Sequence, residues 1–501
     1  MSKIDILLIN PPYRTKKLHI YMPMGLGYVA TMLDAAGFKI KIHDMNFMGT
    51  SPRDISRIVK EKKIAVVGIT GFITQVGHIV SLVNKIKADN PSVKILVGGS
   101  LLNGVEKYIF DKSRVDVVIR GDAEELIVVL MSSLLEGREI PNVAGVAYRN
   151  KNDIIDNPGK AIVKDLDNLP MINRDLFEVE DYIGHYWNSS AKTRTLEVIW
   201  SRGCPYKCVY CINSVGNGRY RIRSVDNVIE EIGYIKEKYN ITDVVFASEV
   251  LTVNRTKIID LCNKIEPFGL SWTAVTRADL VDEDMVATMN NAGCRQMFIG
   301  VESADNEVLK KMRKKITIEK IAEVFNMIKK HNIEPKGGFI AGHPWETRDT
   351  MKAARDFCLS HNWIYWPSFS TAYPNTALYD QVKHLINDEE KYIRSITNHH
   401  QYMSYLLNLT QIPKREFMRI KKRYTAETVA AYWHRRNPSF PKFLIYLVAR
   451  FMLFFYHLDT IFGIDVHSLV HKLLRNIYVL QAQKPFKFVK KLSINKKNKA
   501  A

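Results

Sequence analysis

Residues 196–211 read LEVIWSRGCPYKCVYC, and the fold turns on them. Leu196–Trp200 has the short apolar pattern of a buried strand, and Ser201–Cys211 follows it directly. The spacing is C-x3-C-x2-C, with Cys204, Cys208 and Cys211 as its thiols. Three thiolates can hold three irons of a cubane [4Fe–4S] cluster and leave the fourth iron open to a chelating ligand. Zinc is the alternative for such a set, but it needs a fourth ligand, and the next histidine along the chain is His331.

The motif opens a repeating pattern. Strand-like runs recur at Leu196–Trp200, Asp243–Ala247, Leu270–Val275, Gln296–Ile299, Pro335–Ile340 and Ser368–Ala372. Helical lengths separate them, including Val225–Lys238 with Ser224 as its N-cap. Six β/α repeats over residues 195–380 predict a partial, open (β/α) barrel with its chemistry at the carboxyl ends of the strands.

Upstream, residues 1–150 also alternate. Strands are expected at Asp5–Asn10, Phe38–His43, Ile64–Ile69, Val93–Val97, Val115–Ile119 and Val143–Tyr148, and helices at Gly27–Ala36 and Val76–Ala88. That order predicts a Rossmann-like, doubly wound α/β domain on a parallel sheet. Residues 151–194, with the polar run DLDNLPMINRDLF, are expected to be a linker. Residues 381–501 form a helical, basic C-terminal region without strands or a fixed repeat.

The chain of 501 residues is 46% hydrophobic, enough for real cores, and carries a net charge of +20. The charge is uneven. From Gln411 to Ala501 there are 19 Lys plus Arg against 4 Asp plus Glu, so +15 of the +20 lies in the last fifth. Beside these charges runs FLIYLVARFMLFFY, residues 443–456, which Arg450 interrupts. A span needs about 20 mostly apolar residues, so the run predicts a peripheral contact with an anionic membrane surface, or else a helical cap on the barrel. No RRM or KH signature accompanies the lysines, so nucleic acid is not expected as a partner.

None of the six cysteines precedes Cys204. Cys262, Cys294 and Cys358 are scattered and read as buried apolar side chains. That is no disulfide framework and fits a reducing, cytoplasmic setting. MSKIDILLINPP runs straight into a strand without a signal-peptide pattern, so secretion is not expected.

The motif, its place after the first barrel strand and the later segments resemble the radical S-adenosylmethionine (SAM) superfamily. Residues 1–380 resemble its subgroup with an N-terminal cobalamin (B12)-binding domain. That subgroup includes methylases of unactivated carbon and anaerobic porphyrin-ring cyclases. The resemblance implies a catalytic cluster on Cys204, Cys208 and Cys211 whose open iron takes the amino and carboxylate groups of SAM. Tyr210 falls at the aromatic position beside the adenine. Phe246-Ala247-Ser248-Glu249 falls where the SAM amino group is received; the subgroup commonly has two acids there, and here Ser248 replaces the first and Glu249 keeps one. Phe298-Ile299-Gly300-Val301-Glu302-Ser303 matches the segment that holds the ribose hydroxyls, with Glu302 as the acid and Ser303 beside it. Gly342, within the run Gly338–Thr347, lies along the adenine, with Trp345 where glycine is usual. Tyr373–Tyr379 resembles the segment that closes the barrel.

The resemblance also implies a corrinoid beyond the carboxyl ends of the first sheet. The residues concerned are Pro11, Thr70, Gly71, Gly98, Gly99 and Gly121, whose glycines would let the backbone approach a large flat ligand. Asp-x-His-x-x-Gly, which ligates cobalt in many B12 domains, is missing. Asp44–Gly49 mimics it but follows the second strand and has Asn46 for His. The alternative is a Rossmann-like domain that only packs on the barrel.

The expected function is a cobalamin-dependent radical SAM methylation of an unactivated carbon. The substrate would be a small molecule or lipid-like, and a flavodoxin or ferredoxin would supply electrons. A radical cyclase of the porphyrin-ester type is the alternative enzyme, and a non-catalytic cobalamin or SAM sensor the alternative class. Sensing needs no open iron. Methylthiotransferases carry further cluster cysteines before the motif, and this chain has none.

Overall fold

Ile6 and Leu8 pack on one face of the first sheet and Leu7 and Ile9 on the other, because successive side chains of a strand point to opposite sides. The computed structural model describes residues 4–12, 21–102, 104–184, 193–214, 219–397 and 405–436, with 438, 441, 445–447 and 450 beyond them. The strands of this sheet are β1 (Ile6–Asn10), β2 (Ile40–Asp44), β3 (Val66–Phe72), β4 (Lys94–Leu101), β5 (Val117–Ile119), β6 (Val146–Asn150) and β7 (Asp153–Asp156). Their spatial order is β2-β1-β3-β4-β5-β6-β7.

Helices cover both faces. Met24–Ala35 and Glu124–Glu136 bury Leu26, Leu33, Ile127 and Leu130 against Ile6, Val66 and Val117. Val76–Asp89 buries Ile79, Val83 and Ile86 against Leu7, Val67 and Ile95. The doubly wound domain is therefore as the sequence predicted. Its order reverses between β1 and β3, and ligands of open α/β sheets bind at such a switch, beyond the carboxyl ends.

Two features differ from the expectation of an all-parallel sheet followed by a linker. Strand β6 pairs antiparallel with β5, and β7, inside the stretch expected to be a linker, pairs antiparallel with β6. Sequence DIID sets two isoleucines between two acids without the alternation of a half-buried strand, and a short, mostly exposed edge carries little signal.

The second sheet is wholly parallel. It comprises β8 (Thr195–Ile199), β11 (Asp243–Ala247), β12 (Ser271–Thr276), β13 (Cys294–Glu302), β14 (Glu334–Ala341) and β15 (Ser368–Phe369), in that spatial order. This is the predicted six-stranded partial barrel. Ser224 caps the helix Val225–Tyr239 by accepting from the Asn227 amide. A two-stranded antiparallel ladder, β9 (Ser201–Arg202) with β10 (Arg221–Ile222), stands at the end of β8.

The chain divides into two units, Met1–Thr350 with Pro367–Ile412, and Met351–Trp366 with Pro413–Ala501. In the first, Tyr392, Ile393 and Ile396 enter the core of the doubly wound domain. In the second, the helix Lys414–Arg436 buries Phe417 and pairs Glu427 with Arg355 at 3.2 Å. Among the described residues no helix is long and apolar enough to cross a membrane. The lysines at 484–499 and most of the run 443–456 lie outside the described residues.

Candidate active site

The three motif cysteines lie in the loop that β9 and β10 hold at its two ends. None of the three is in a disulfide; Cys208 is buried and the others half-buried. Burial pushes the Cys204 thiol up, the neighbouring Cys208 and Glu249 add to the effect, and the Arg277 guanidinium opposes it. The loop is pinned by its backbone: Cys211 donates to the Cys208 carbonyl, Val209 to that of Met312, and Leu378 to that of Val209. Arg277 stacks on Tyr206 at 3.7 Å, is bidentate to Asp279, and donates to the Lys314 carbonyl.

Among the described residues no group of three or more His, Cys, Asp or Glu is arranged to hold a single metal ion. A cubane spreads its thiolates over three irons, so they need not converge on one point. Three thiols in one pinned loop fit a cluster and leave a zinc ion without a fourth ligand.

Glu302, at the end of β13, has a left-handed backbone (φ 65°), rare for a residue with a side chain, and the β13–β14 register shifts there. A side chain at Gly300 would strike both the Glu302 carboxylate and the Lys314 ammonium, so the glycine makes room for that pair. Lys314 and Glu302 are 2.9 Å apart and largely buried. Tyr210 lies beside the same carboxylate, and burial together with the Glu302 charge pushes its hydroxyl well up.

Ser248 and Glu249 follow β11. The Ser248 and Ser201 hydroxyls bond to each other. Glu249 lies beside the backbone of Gly203, one residue before Cys204. Burial pushes Glu249 up, and the Arg221 and Arg202 charges pull it down. Ser303 accepts from the Asp305 amide.

Gly342 follows β14 with φ 84° and donates to Glu346. His343 is 2% exposed, and burial pushes it down to about 3; Glu346 is pushed by burial up to about 7. Thus Cys204, Cys208, Cys211, Tyr210, Ser248, Glu249 and Glu302 gather about one loop, with Gly342 two strand positions away from β12 in the same sheet.

The other predicted set lies at the carboxyl edge of the first sheet. Pro11 follows β1, Thr70 and Gly71 end β3, Gly98 and Gly99 lie in β4, and Gly121 follows β5. Buried Gln75, which the sequence reading missed, ties two of these loops by donating to the Pro11 carbonyl and accepting from the Phe72 amide. The glycines have a reason inside the chain. A side chain at Gly99 (φ 136°) would overlap the Gly71 carbonyl, and one at Gly121 (φ 94°) that of Ala161. Gly98 has only Ile119 near it, so its surface is the one left open. The fit to a large ligand therefore rests on the switch point and the open backbone at Gly98, not on the other glycines.

Residues 198–358 match the radical SAM superfamily, and residues 13–131 the B12 binding domain. An uncharacterized methyltransferase of Pyrococcus horikoshii is 28% identical over 76% of this chain and 83% of its own length. The anaerobic magnesium-protoporphyrin IX monomethyl ester cyclase of Rubrivivax gelatinosus is 26% identical over 77% of this chain and 72% of its own. The solved structure of the radical SAM methyltransferase TsrM from Kitasatospora setae, with cobalamin and a [4Fe–4S] cluster bound, superposes with a TM-score of 0.62. It is 17% identical, and the match covers 77% of this chain and 75% of that one, a likeness of fold.

Proposed function

The chain belongs to the radical SAM superfamily and carries a B12-binding domain, and from that premise we propose a cobalamin-dependent methylation of an unactivated carbon. The observation that carries the reading is the pinned C-x3-C-x2-C loop with the Tyr210–Glu302 pair and Glu249 beside it. When bound, the reduced cluster would cleave SAM to a 5′-deoxyadenosyl radical that takes hydrogen from carbon, and cobalamin would supply the methyl group.

The protein's share is binding and orientation. Cys204, Cys208 and Cys211 would hold three irons. Glu249 would accept from an N–H of the SAM amino group, with Ser248 beside it. Glu302 would accept from two vicinal ribose hydroxyls, steered by Lys314 and Tyr210. Ser303 shapes that turn, and Gly342 offers backbone without a side chain along the adenine. Pro11, Thr70, Gly71, Gly98, Gly99 and Gly121 would line the corrinoid edge. His43 bonds to Thr50, and no Asp-x-His-x-x-Gly stands after β1, so we expect no protein histidine on cobalt.

The substrate would be a small or lipid-like molecule, and the electron donor a flavodoxin or ferredoxin in the cytoplasm. A peripheral membrane contact of the C-terminal region rests on composition alone, 19 basic against 4 acidic residues after Gln411. Flotation with anionic liposomes, full-length against a chain ending near Asn437, tests it. The likeness to a cyclase keeps ring formation as the second reading.

The deciding experiment is iron and corrinoid content of anaerobically purified protein, then 5′-deoxyadenosine release. No cluster would end the reading, and a cluster without corrinoid would end its cobalamin half. A product heavier by one CH2, the net of methyl for hydrogen, separates methylation from cyclisation.

A further inference from the structure

Arg202 and Arg221 are register partners across the β9–β10 ladder, so they stand at the two ends of the loop that carries the three motif cysteines. Both reach into the first domain. Arg202 lies 3.3 Å from Asp122 and 2.7 Å from Glu124, and stacks on Tyr28 at 5.0 Å. Arg221 pairs with the other oxygen of Asp122 and donates to the Val163 carbonyl. The carboxylates are 5% and 4% exposed and the guanidiniums 6% and 15%.

Asp122 is no ordinary surface acid. It follows Gly121 at the carboxyl end of β5, on the edge where the corrinoid would lie, and also accepts from the Val163 amide. On the other side both guanidiniums act on Glu249, the carboxyl expected to meet the SAM amino group. One buried set of charges therefore runs from the corrinoid edge, through both ends of the cysteine loop, to the SAM side. Buried charges lose hydration, so such a set persists only while its pairs hold. Arg202 spreads its planar fork over both acids, Nη1 to Asp122 and Nη2 to Glu124, whereas Arg221 holds Asp122 and the Val163 carbonyl through Nη1 alone, its other two nitrogens buried without a partner.

We propose that Asp122 and Glu124 are positioning residues: by gripping Arg202 and Arg221 they lock the cluster loop onto the corrinoid edge and fix the separation of the two cofactors. The proposal rests on the reading above that both cofactors bind. Neither acid touches a reacting atom. Their effect is on alignment, and misplacement by about 1 Å can lower a rate on the order of 100-fold.

The test uses full-length protein loaded with iron, sulfide and hydroxocobalamin, wild type against an Asp122→Asn/Glu124→Gln double variant. Pulsed electron paramagnetic resonance measures the distance distribution between Co(II) and the reduced cluster, and continuous-wave spectra follow the cluster signal on adding SAM. The expected variant keeps its iron and corrinoid but shows a broader distance distribution, an altered SAM-induced shift and slower 5′-deoxyadenosine release. A distribution and shift identical to wild type would overturn the proposal. Should the double variant fail to fold, Arg202→Lys keeps the charge while losing the fork, and is judged by the same spectra. If wild type takes up no corrinoid, the function reading fails at that step; the SAM-induced cluster shift then decides the clamp, an unchanged shift in the variants overturning it.

Discussion

Lys314 sets its ammonium 2.9 Å from the carboxylate of Glu302, and both side chains are largely buried. That ion pair orients the carboxylate before any ligand arrives, and Tyr210 lies close enough to feel its charge. Lys314→Met should leave the cluster in place but strip the carboxylate of its cation. A charged hydrogen bond contributes about 1.5–3 kcal/mol, so SAM should bind about 10- to 100-fold more weakly. Equilibrium binding of SAM to cluster-loaded protein measures this. Equal affinity would show that Lys314 only fills space.

Replacing Cys204, Cys208 and Cys211 by Ala should remove the brown absorption, the iron and all 5′-deoxyadenosine release. Cys262, Cys294 and Cys358 are buried, and burial alone pushes the Cys262 thiol up to about 12, as befits an inert side chain. Their Ala variants should keep full iron. Iron analysis of the two sets decides the matter, and a triple motif variant that still held a cubane would refute the cluster assignment.

Much of this site was legible because its residues lie beside strand ends that announce themselves. Tyr210 and Glu302 were both singled out, and the fold brings them close enough for the Glu302 charge to act on the Tyr210 hydroxyl. Lys314 was not, because it sits in KKMRKK, residues 310–315, which reads as a solvated charge run; only the fold shows that this lysine turns inward. Arg202 stood in plain view inside the motif, but its partner Asp122 lies 80 residues upstream, and no local pattern encodes such a pairing. Gly99 and Gly121 were legible as special backbone, but a single sequence cannot say whether a ligand or the Gly71 and Ala161 carbonyls claim the space.

The stretch expected to be a linker contributes a buried charge. Arg174, fully buried, donates to Glu231 at 2.6 Å, and Arg223 meets the other oxygen of Glu231 at 2.5 Å. Removing one member of a buried ionic set leaves uncompensated charge, at a cost of about 3–5 kcal/mol. Glu231→Gln should therefore lower the urea midpoint strongly. Asp111→Asn, at the exposed pair with Lys107, should barely move it. Similar small losses for both would mean that water reaches the Arg174 pocket.

His343 and Glu346 should give stability opposite dependences on pH. Burial holds the Glu346 carboxyl near 7 in the fold against an ordinary value of 4.5. Between those values the folded protein keeps a proton that the unfolded chain has lost, so its contribution falls as pH rises through that window. At 1.36 kcal/mol per pKa unit the contribution is on the order of 3 kcal/mol. His343 works the other way. Its fold value is near 3 against 6.5, so below 6.5 the unfolded chain takes a proton that the fold refuses, and stability falls as pH falls. From pH 4.5 to 6.5 the two slopes oppose each other in the wild type. Glu346→Gln should expose the histidine's slope, with stability rising with pH over that range. His343→Gln should expose the carboxyl's, with stability falling up to about pH 7. Urea midpoints of the three proteins at pH 5, 6 and 7 provide the comparison. Three parallel profiles would show that neither group keeps its buried protonation state in solution.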